Sequence, residues 1–178
     1  MRKGFILLLA AAATIGLSKK ADAQVYGPGV SLVNLGIGLG ATYGNGLPFG
    51  FSYDYGVTKN ISVGLQVDYA SWSNTVAPWG EYKYRNIPFG IRGAYHFDGI
   101  GDPAKVDVYL GLVAGYRVLI VSEPSGFKAY PGYSPAYAGG FHYGGIVGGR
   151  YMFTPGIGAF AELGYNVSYG KVGLTFKF

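Results

Sequence analysis

Apolar and polar residues alternate with a period of two along most of this chain. Ile61, Val63, Leu65, Val67 and Tyr69 are interleaved with Ser62, Gly64, Gln66, Asp68 and Ala70. Ile87, Phe89, Ile91, Gly93, Tyr95 and Phe97 form a second such row, and Ile157, Ala159, Ala161, Leu163, Tyr165 and Val167 a third. A period of two places one set of side chains on each face of an extended strand, so these segments are read as β-strands and not helices. Noisier segments of the same kind lie near 30–43, 48–57, 105–119 and 137–153. With a last one at 170–178, whose apolar row is Val172, Leu174, Phe176 and Phe178, about eight antiparallel strands are expected, an even number. Pro88 removes a ladder donor from the fourth, where a bulge is expected.

The two faces differ in a way that decides what surrounds them. One is apolar and aromatic; the other is Gly-rich, with scattered charges. A water-soluble up-and-down barrel would turn its apolar face inward. Here the second face, Gly-rich with a few charges, is too small and too polar to fill a dry core. The fold class expected is therefore an all-β, antiparallel up-and-down transmembrane β-barrel whose apolar face meets lipid. The connections fit that reading. Val57–Asn60 and Thr154–Gly156 are tight turns, whereas 71–81 and 120–136 are long and rich in Ser, Pro, Tyr and Trp, as outer loops are. The connection at 98–104 is long for an inner turn and that at 44–48 short for an outer loop. Aromatic residues cluster at strand ends: Tyr43, Tyr69, Trp72, Tyr116 and Tyr165 at one level, and Tyr53, Tyr55, Tyr95, Phe97, Tyr151, Phe153, Phe176 and Phe178 at the other. Amphipathic rings favour the headgroup level of a bilayer, so two girdles are expected. Composition agrees, with 32 Gly and 17 Tyr against only 13% charged residues.

The ends of the sequence add location. Arg2 and Lys3 precede an apolar run from Phe5 to Leu17, and Ala21-Asp22-Ala23 is a small-x-small cleavage pattern. Residues 1–23 are read as a cleaved export signal, because the run is shorter than the roughly 20 apolar residues of a spanning helix. Residues 24–178 form the barrel domain. Removing the signal takes four cations and one anion from a net charge of +5, leaving a weak, scattered balance that gives no reason to expect nucleic acid. There is no Cys for lipid anchoring or disulfides. At the other end, Lys171, Gly173, Phe176 and Phe178 resemble, position by position, the C-terminal signal that bacterial outer-membrane barrels present to the barrel-assembly machinery. Over residues 25–178 the chain resembles the small outer-membrane β-barrel family of the OmpA-barrel, OmpX and opacity-protein type. Its Gly/Tyr-rich style, with Tyr-Gly-Val-Thr-Lys-Asn-Ile-Ser-Val-Gly-Leu at Tyr55–Leu65, is similar to the barrels common in Bacteroidota. The resemblance implies a Gram-negative outer-membrane location with both termini periplasmic, and outer-membrane lipid and lipopolysaccharide as partners. Members include adhesins, host-factor binders, envelope stabilisers and small channels, so it does not choose a function.

Candidate chemistry falls in three places. Asp54, Asp68, Asp107 and Glu162, with Arg92, Arg117 and Arg150, lie on the inward face. Buried charges must pair, so they are expected to form an interior network, with Arg150 and Glu162 in diagonal contact across the Pro155 turn. An eight-stranded barrel has room only for side chains or one small ligand, which argues against a diffusion pore. His96 and His142, the only histidines, point inward at opposite ends and are read as satisfied lumen residues. No catalytic constellation, cofactor motif or metal-ligand spacing is present, and Gly36, Gly38 and Gly40 read as a close-packed inner wall and not a nucleotide loop. Surface contact is assigned to the outer loops through Trp72, Trp79, Phe127, Tyr130, Tyr133 and Tyr137, with an unidentified extracellular ligand. The function expected is non-enzymatic: envelope integrity or cell-surface interaction. A narrow channel for small apolar molecules, through a lateral gap near Pro88 and the Gly-rich first strand, is the alternative, and a membrane-embedded lipid-modifying enzyme stands third.

Overall fold

The computed structural model describes residues 24–42, 44–76, 80–122 and 138–178. The export signal at 1–23, together with Tyr43, Trp79, Phe127, Tyr130, Tyr133 and Tyr137, lies outside the described residues. Eight strands form a closed barrel in chain order: β1 (Ser31–Ala41), β2 (Phe49–Gly56), β3 (Ile61–Val76), β4 (Gly80–Phe97), β5 (Val106–Ser122), β6 (Ala138–Met152), β7 (Ile157–Tyr165) and β8 (Ser168–Lys177). All neighbours are antiparallel, and β8 closes on β1 from Leu32↔Lys177 to Ala41↔Ser168.

The apolar rows face out. Ile91 is 65% exposed, Leu112 and Leu163 70%, while Asp54, Arg92, Arg150 and Glu162 on the opposite face are buried. This is the reverse of a water-soluble barrel, and closure leaves no unpaired edge for lipid to meet. An aliphatic belt (Leu35, Ile37, Val63, Leu65, Ile91, Leu110, Leu112, Val147, Leu174) lies between two aromatic levels. One level carries Tyr55, Tyr95, Phe97, Tyr151 and Phe153; the other carries Phe49, Tyr69, Phe89, Tyr116 and Phe141.

The two ends of the barrel are built differently. At the turn end, Val57-Thr58-Lys59-Asn60-Ile61 and Phe153-Thr154-Pro155-Gly156-Ile157 close hairpins by one device. The first two amides of each donate to the Ile carbonyl, and the Thr hydroxyl accepts from the Ile amide. The 98–104 connection is held by Asp102, whose carboxylate accepts from the Ala104 amide and whose carbonyl accepts from Lys105 and Val106. Gly99 and Gly101 take left-handed conformations there, with φ of 79° and 74°. In the same connection the exposed Asp98 carboxyl is held below its usual range by hydrogen bonds from Asn60 and Lys59.

At the tall end, β3, β4, β5 and β6 outrun their neighbours. Pairing of β2 with β3 stops at Phe49↔Tyr69 and of β7 with β6 at Gly145↔Tyr165, yet β3–β4 continues to Val76↔Gly80. Most of the expected loop at 71–81 is therefore strand, because cross-strand pairing carries on past the apolar belt. The expected bulge at Pro88 is also absent. The β3–β4 ladder lapses between Val67↔Phe89 and Ala70↔Asn86 but resumes in the same register, and Pro88 stays opposite Arg117 on β5. A missing donor costs ladder bonds locally; it does not require an extra residue.

A closed lipid-facing barrel of this kind resists cold SDS. Chain refolded into detergent micelles should migrate differently unheated and boiled; solubility without detergent and an unchanged mobility would overturn the assignment of faces.

Candidate functional site

Asp54 sits on the inner face of β2, two residues from its end, and its carboxylate holds two guanidinium groups. Oδ2 accepts from Arg150 Nη2 at 2.6 Å, and Oδ1 lies 2.9 Å from Arg92 Nε, an ion pair without hydrogen-bond alignment. Arg92 comes from β4 and Arg150 from β6, so the contacts span the lumen instead of following the wall. Arg150 also donates to Asp107 Oδ2 at 2.7 Å, and Arg92 donates to Glu162 Oε1 at 2.8 Å. Asn34 on β1 donates to Asp54 and Ser52, and Ser52 accepts from Arg92. Tyr109 donates to Glu162 at 2.8 Å and lies under the Arg150 guanidinium, 4.1 Å from it. Its ring occupies the space over Gly148 on β6, where a Cβ would come within 2.3 Å of it.

Five of the seven sequence-assigned lumen charges thus meet in one cluster: Asp54, Arg92, Asp107, Arg150 and Glu162. The expected Arg150–Glu162 contact is not made. The two are diagonal neighbours, but the Tyr109 ring lies under Arg150 with its hydroxyl on Glu162; Glu162 pairs with Arg92 across the barrel, and Arg150 with Asp54 across it and with Asp107 on the adjacent strand. Asp68 lies to one side, 2.5 Å from Lys171 Nζ, and is linked to Arg92 only through Gln66, which donates to Asp68 and accepts from Arg92. Lys171, assigned to the C-terminal signal, is thus also a lumen cation. Arg117 is ten residues up β5 from Asp107, roughly 33 Å of extended chain, opposite Pro88 and Gly140. Of the other signal residues, Gly173 lies between Gly36 and Phe160, Phe176 faces out between Val33 and Ile157, and Phe178 is exposed.

The turn end of the lumen is capped. Tyr26 lies flat on the His96 ring, centroids 3.4 Å apart at 3°, and its hydroxyl donates to the Thr58 carbonyl. The Val25 amide donates to the Pro103 carbonyl, and Lys177 Nζ donates to the Gln24 carbonyl. Beneath this cap His96 Nδ1 is 2.7 Å from Asp107 and Nε2 is 3.0 Å from Ser62 Oγ. A carboxylate only accepts, so Nδ1 carries the proton, and in the neutral ring Nε2 accepts from Ser62. The order Ser–His–Asp is that of a hydrolase triad, but the surroundings are not. Ser62 is buried, Tyr26 covers the imidazole face, Asp107 is also held by Arg150, and the 50 Å³ cavity at this mouth is lined by Tyr26, His96 and Asp107 without Ser62. The trio orients a buried imidazole. His142, buried toward the tall end, bonds Asn166 at 2.8 Å. Among the described residues no three His, Asp or Glu side chains converge as metal ligands.

Of the sequence-assigned loop residues, Trp72 is the one described, and it is not in a loop. It faces inward from β3, stacked on Tyr84 at 5.3 Å. The alternation that makes Tyr69 outward already gives Trp72 this phase. Tyr26, Tyr109, Asn34 and Ser62 were not singled out by the sequence. The last three share the phase of the inward charges; Tyr26 precedes the first strand and has no such signal.

Compared by sequence, the chain matches no protein-family model and no curated protein. Its structure is similar to the outer membrane protein OprG from Pseudomonas aeruginosa, with a TM-score of 0.68 and 14% identity over 88% of this chain and 99% of that one. It is also similar to outer membrane protein W of Escherichia coli, with a TM-score of 0.55 and 14% identity over 86% and 100% of the two chains. At these identities the likeness is one of fold: the chain has the eight-stranded barrel of small outer-membrane proteins.

Three outcomes follow from the cluster and its cap. Asp54→Ala removes the anion that two guanidinium groups share while each keeps one carboxylate, Glu162 or Asp107, and should cost about 1–3 kcal/mol in urea unfolding. A double-mutant cycle should give coupling for Arg92–Glu162 within the range of about 0.5–3 kcal/mol, and a smaller value for Arg150–Glu162, which touch only through intermediaries, Tyr109 on one side and Asp54 with Arg92 on the other. Burial first, then the charges of Asp107 and Asp54, push the Tyr26 hydroxyl above its ordinary range, against a lowering by Arg150. Docking of the cap by Tyr26 is therefore complete below about pH 10, where a free tyrosine ionises, and weakens as pH rises above it. Protection of the Val25, Gly29 and Val30 amides, taken relative to their intrinsic base-catalysed exchange rates, should fall above that pH in wild type and stay level in Tyr26→Phe.

Proposed function

We propose that this is a non-enzymatic outer-membrane barrel with both termini periplasmic, acting at the cell surface or in envelope integrity and not as an open pore. The observation that carries this reading is the ion-paired cluster around Asp54, closed off at the turn end by Tyr26 on His96. Charges in contact across the lumen fill the space a solute would need. With the turn end periplasmic, β3–β6 rise from the outer leaflet as a four-stranded wall. That wall, with the loop residues Trp79, Phe127, Tyr130, Tyr133 and Tyr137, is the surface offered to an extracellular ligand, while Trp72 supports it from within. Gly173, Phe176 and Phe178 keep their proposed role for the assembly machinery, with Lys171 serving both the signal and the lumen.

A second reading, passage of small apolar molecules by a lateral route, is favoured by the lapse of the β3–β4 ladder beside Pro88. Planar-bilayer recording separates the two. The closed reading expects a silent wild-type barrel; discrete, reproducible openings would sink it.

A further inference from the structure

The outward faces of β3 and β4 change character at a single level. On β3 the exposed series Val63, Leu65, Val67, Tyr69 gives way to Ser71, Ser73 and Thr75, and on β4 the series Ile91, Phe89, Ile87 gives way to Arg85, Lys83 and Glu81. The register sets Ser71 beside Arg85 and Ser73 beside Lys83, while on the far side of β4 Lys83 faces Ser122 of β5. Arg85, Lys83, Ser71 and Ser73 are all exposed. Adjacent strands lie about 4.8 Å apart and alternate residues about 6.7 Å. Two flexible cations and the hydroxyls of Ser71 and Ser73 thus bound a patch the size of one or two phosphate groups. Among the described residues neither cation has an acidic partner, and Glu81 lies one step beyond them, opposite Thr75.

We propose that Lys83 and Arg85, with Ser71 and Ser73, form a binding site for the phosphates of an anionic membrane lipid in the leaflet at the tall end. Two like charges on alternate positions of one strand repel unless an anion sits between them. A lipid, and not a free phosphate, is the occupant because the patch continues the belt without a gap. Tyr69, Ile87 and Val118 lie on the outward rung directly below it and Phe89 and Tyr116 on the next, where acyl chains run, so one molecule satisfies both surfaces. The site rests on the reading that the apolar belt sits in a bilayer, and it names the partner of that surface as a phosphorylated lipid.

The test uses the full chain expressed and isolated from outer membranes in neutral detergent, titrated with diphosphoryl lipid A in the same micelles. Lys83→Gln/Arg85→Gln should weaken binding about tenfold or more, Glu81→Gln should not weaken it, and added salt should. Millimolar inorganic phosphate should fail to displace the lipid; full displacement would make this a free-anion site and overturn the lipid assignment. Unchanged affinity in a double variant that keeps its unheated-SDS mobility would overturn the site. If that variant lost its folded band, Glu81→Lys, which adds a cation, must tighten binding, and equal or weaker binding would overturn the proposal. Absence of heat-modifiable mobility in wild type would instead remove the membrane reading beneath it.

Discussion

The rest of the barrel depends on how one carboxylate is shared. Asp54 holds Arg92 from β4 and Arg150 from β6, and through them Glu162 on β7 and Asp107 on β5. Five strands that are not all neighbours in the wall are tied together in the middle. Such an arrangement is not a strong source of stability in itself, because desolvation offsets most of the Coulombic gain. Its force is selective. A slip of one residue in any of these strands would turn its charge to the lipid and leave a partner unpaired inside. Register is thus set twice, by the apolar row that must face out and by the charges that must meet within.

The same logic explains how the lumen is filled. An apolar interior would have offered no penalty against inverted or slipped strands, since both faces would then be alike. A polar one needs small residues wherever a long side chain must cross. Tyr109 reaches Glu162 because Gly148 has no Cβ beneath its ring, and Lys171 reaches Asp68 in the space over Gly50. Part of the glycine content is therefore the complement of the charged and aromatic side chains it accommodates.

The fold was legible because strand alternation is local information, available from each segment alone. Eight strands, the outward rows and the inward phase of every lumen charge follow from counting by two. Partner choice was legible only in part. Asp107 and Arg150 are ladder partners on adjacent strands, but in a barrel this narrow a side chain also meets those on the opposite wall, so Arg150 reaches Asp54 as well and not Glu162. The loop at 71–81 was misjudged because Ser, Trp and Asn signal a connection by composition, yet hairpin pairing persists wherever it is not opposed. Trp72 then follows the alternation inward, onto Tyr84. Pro88 was overread: it removes a donor without adding a residue, so the ladder lapses and the register holds. Tyr26 carried no signal, since its partner His96 is seventy residues away and only closure brings them together.

Asymmetry between the two ends bears on what the barrel can do. At the turn end, backbone bonds from Val25 and Gly29 and the Tyr26–His96 stack add a second seal to the charged cluster. At the tall end four strands continue beyond their neighbours, and on two of them, β3 and β4, the outer face turns polar at Ser71, Ser73, Lys83 and Arg85. Extended strands hold their side chains at fixed spacings, which flexible loops do not, so a ligand meeting this wall finds pre-ordered groups and loses less entropy on binding. Closure at one end and a rigid projection at the other are what a barrel needs if it works by contact with what lies outside.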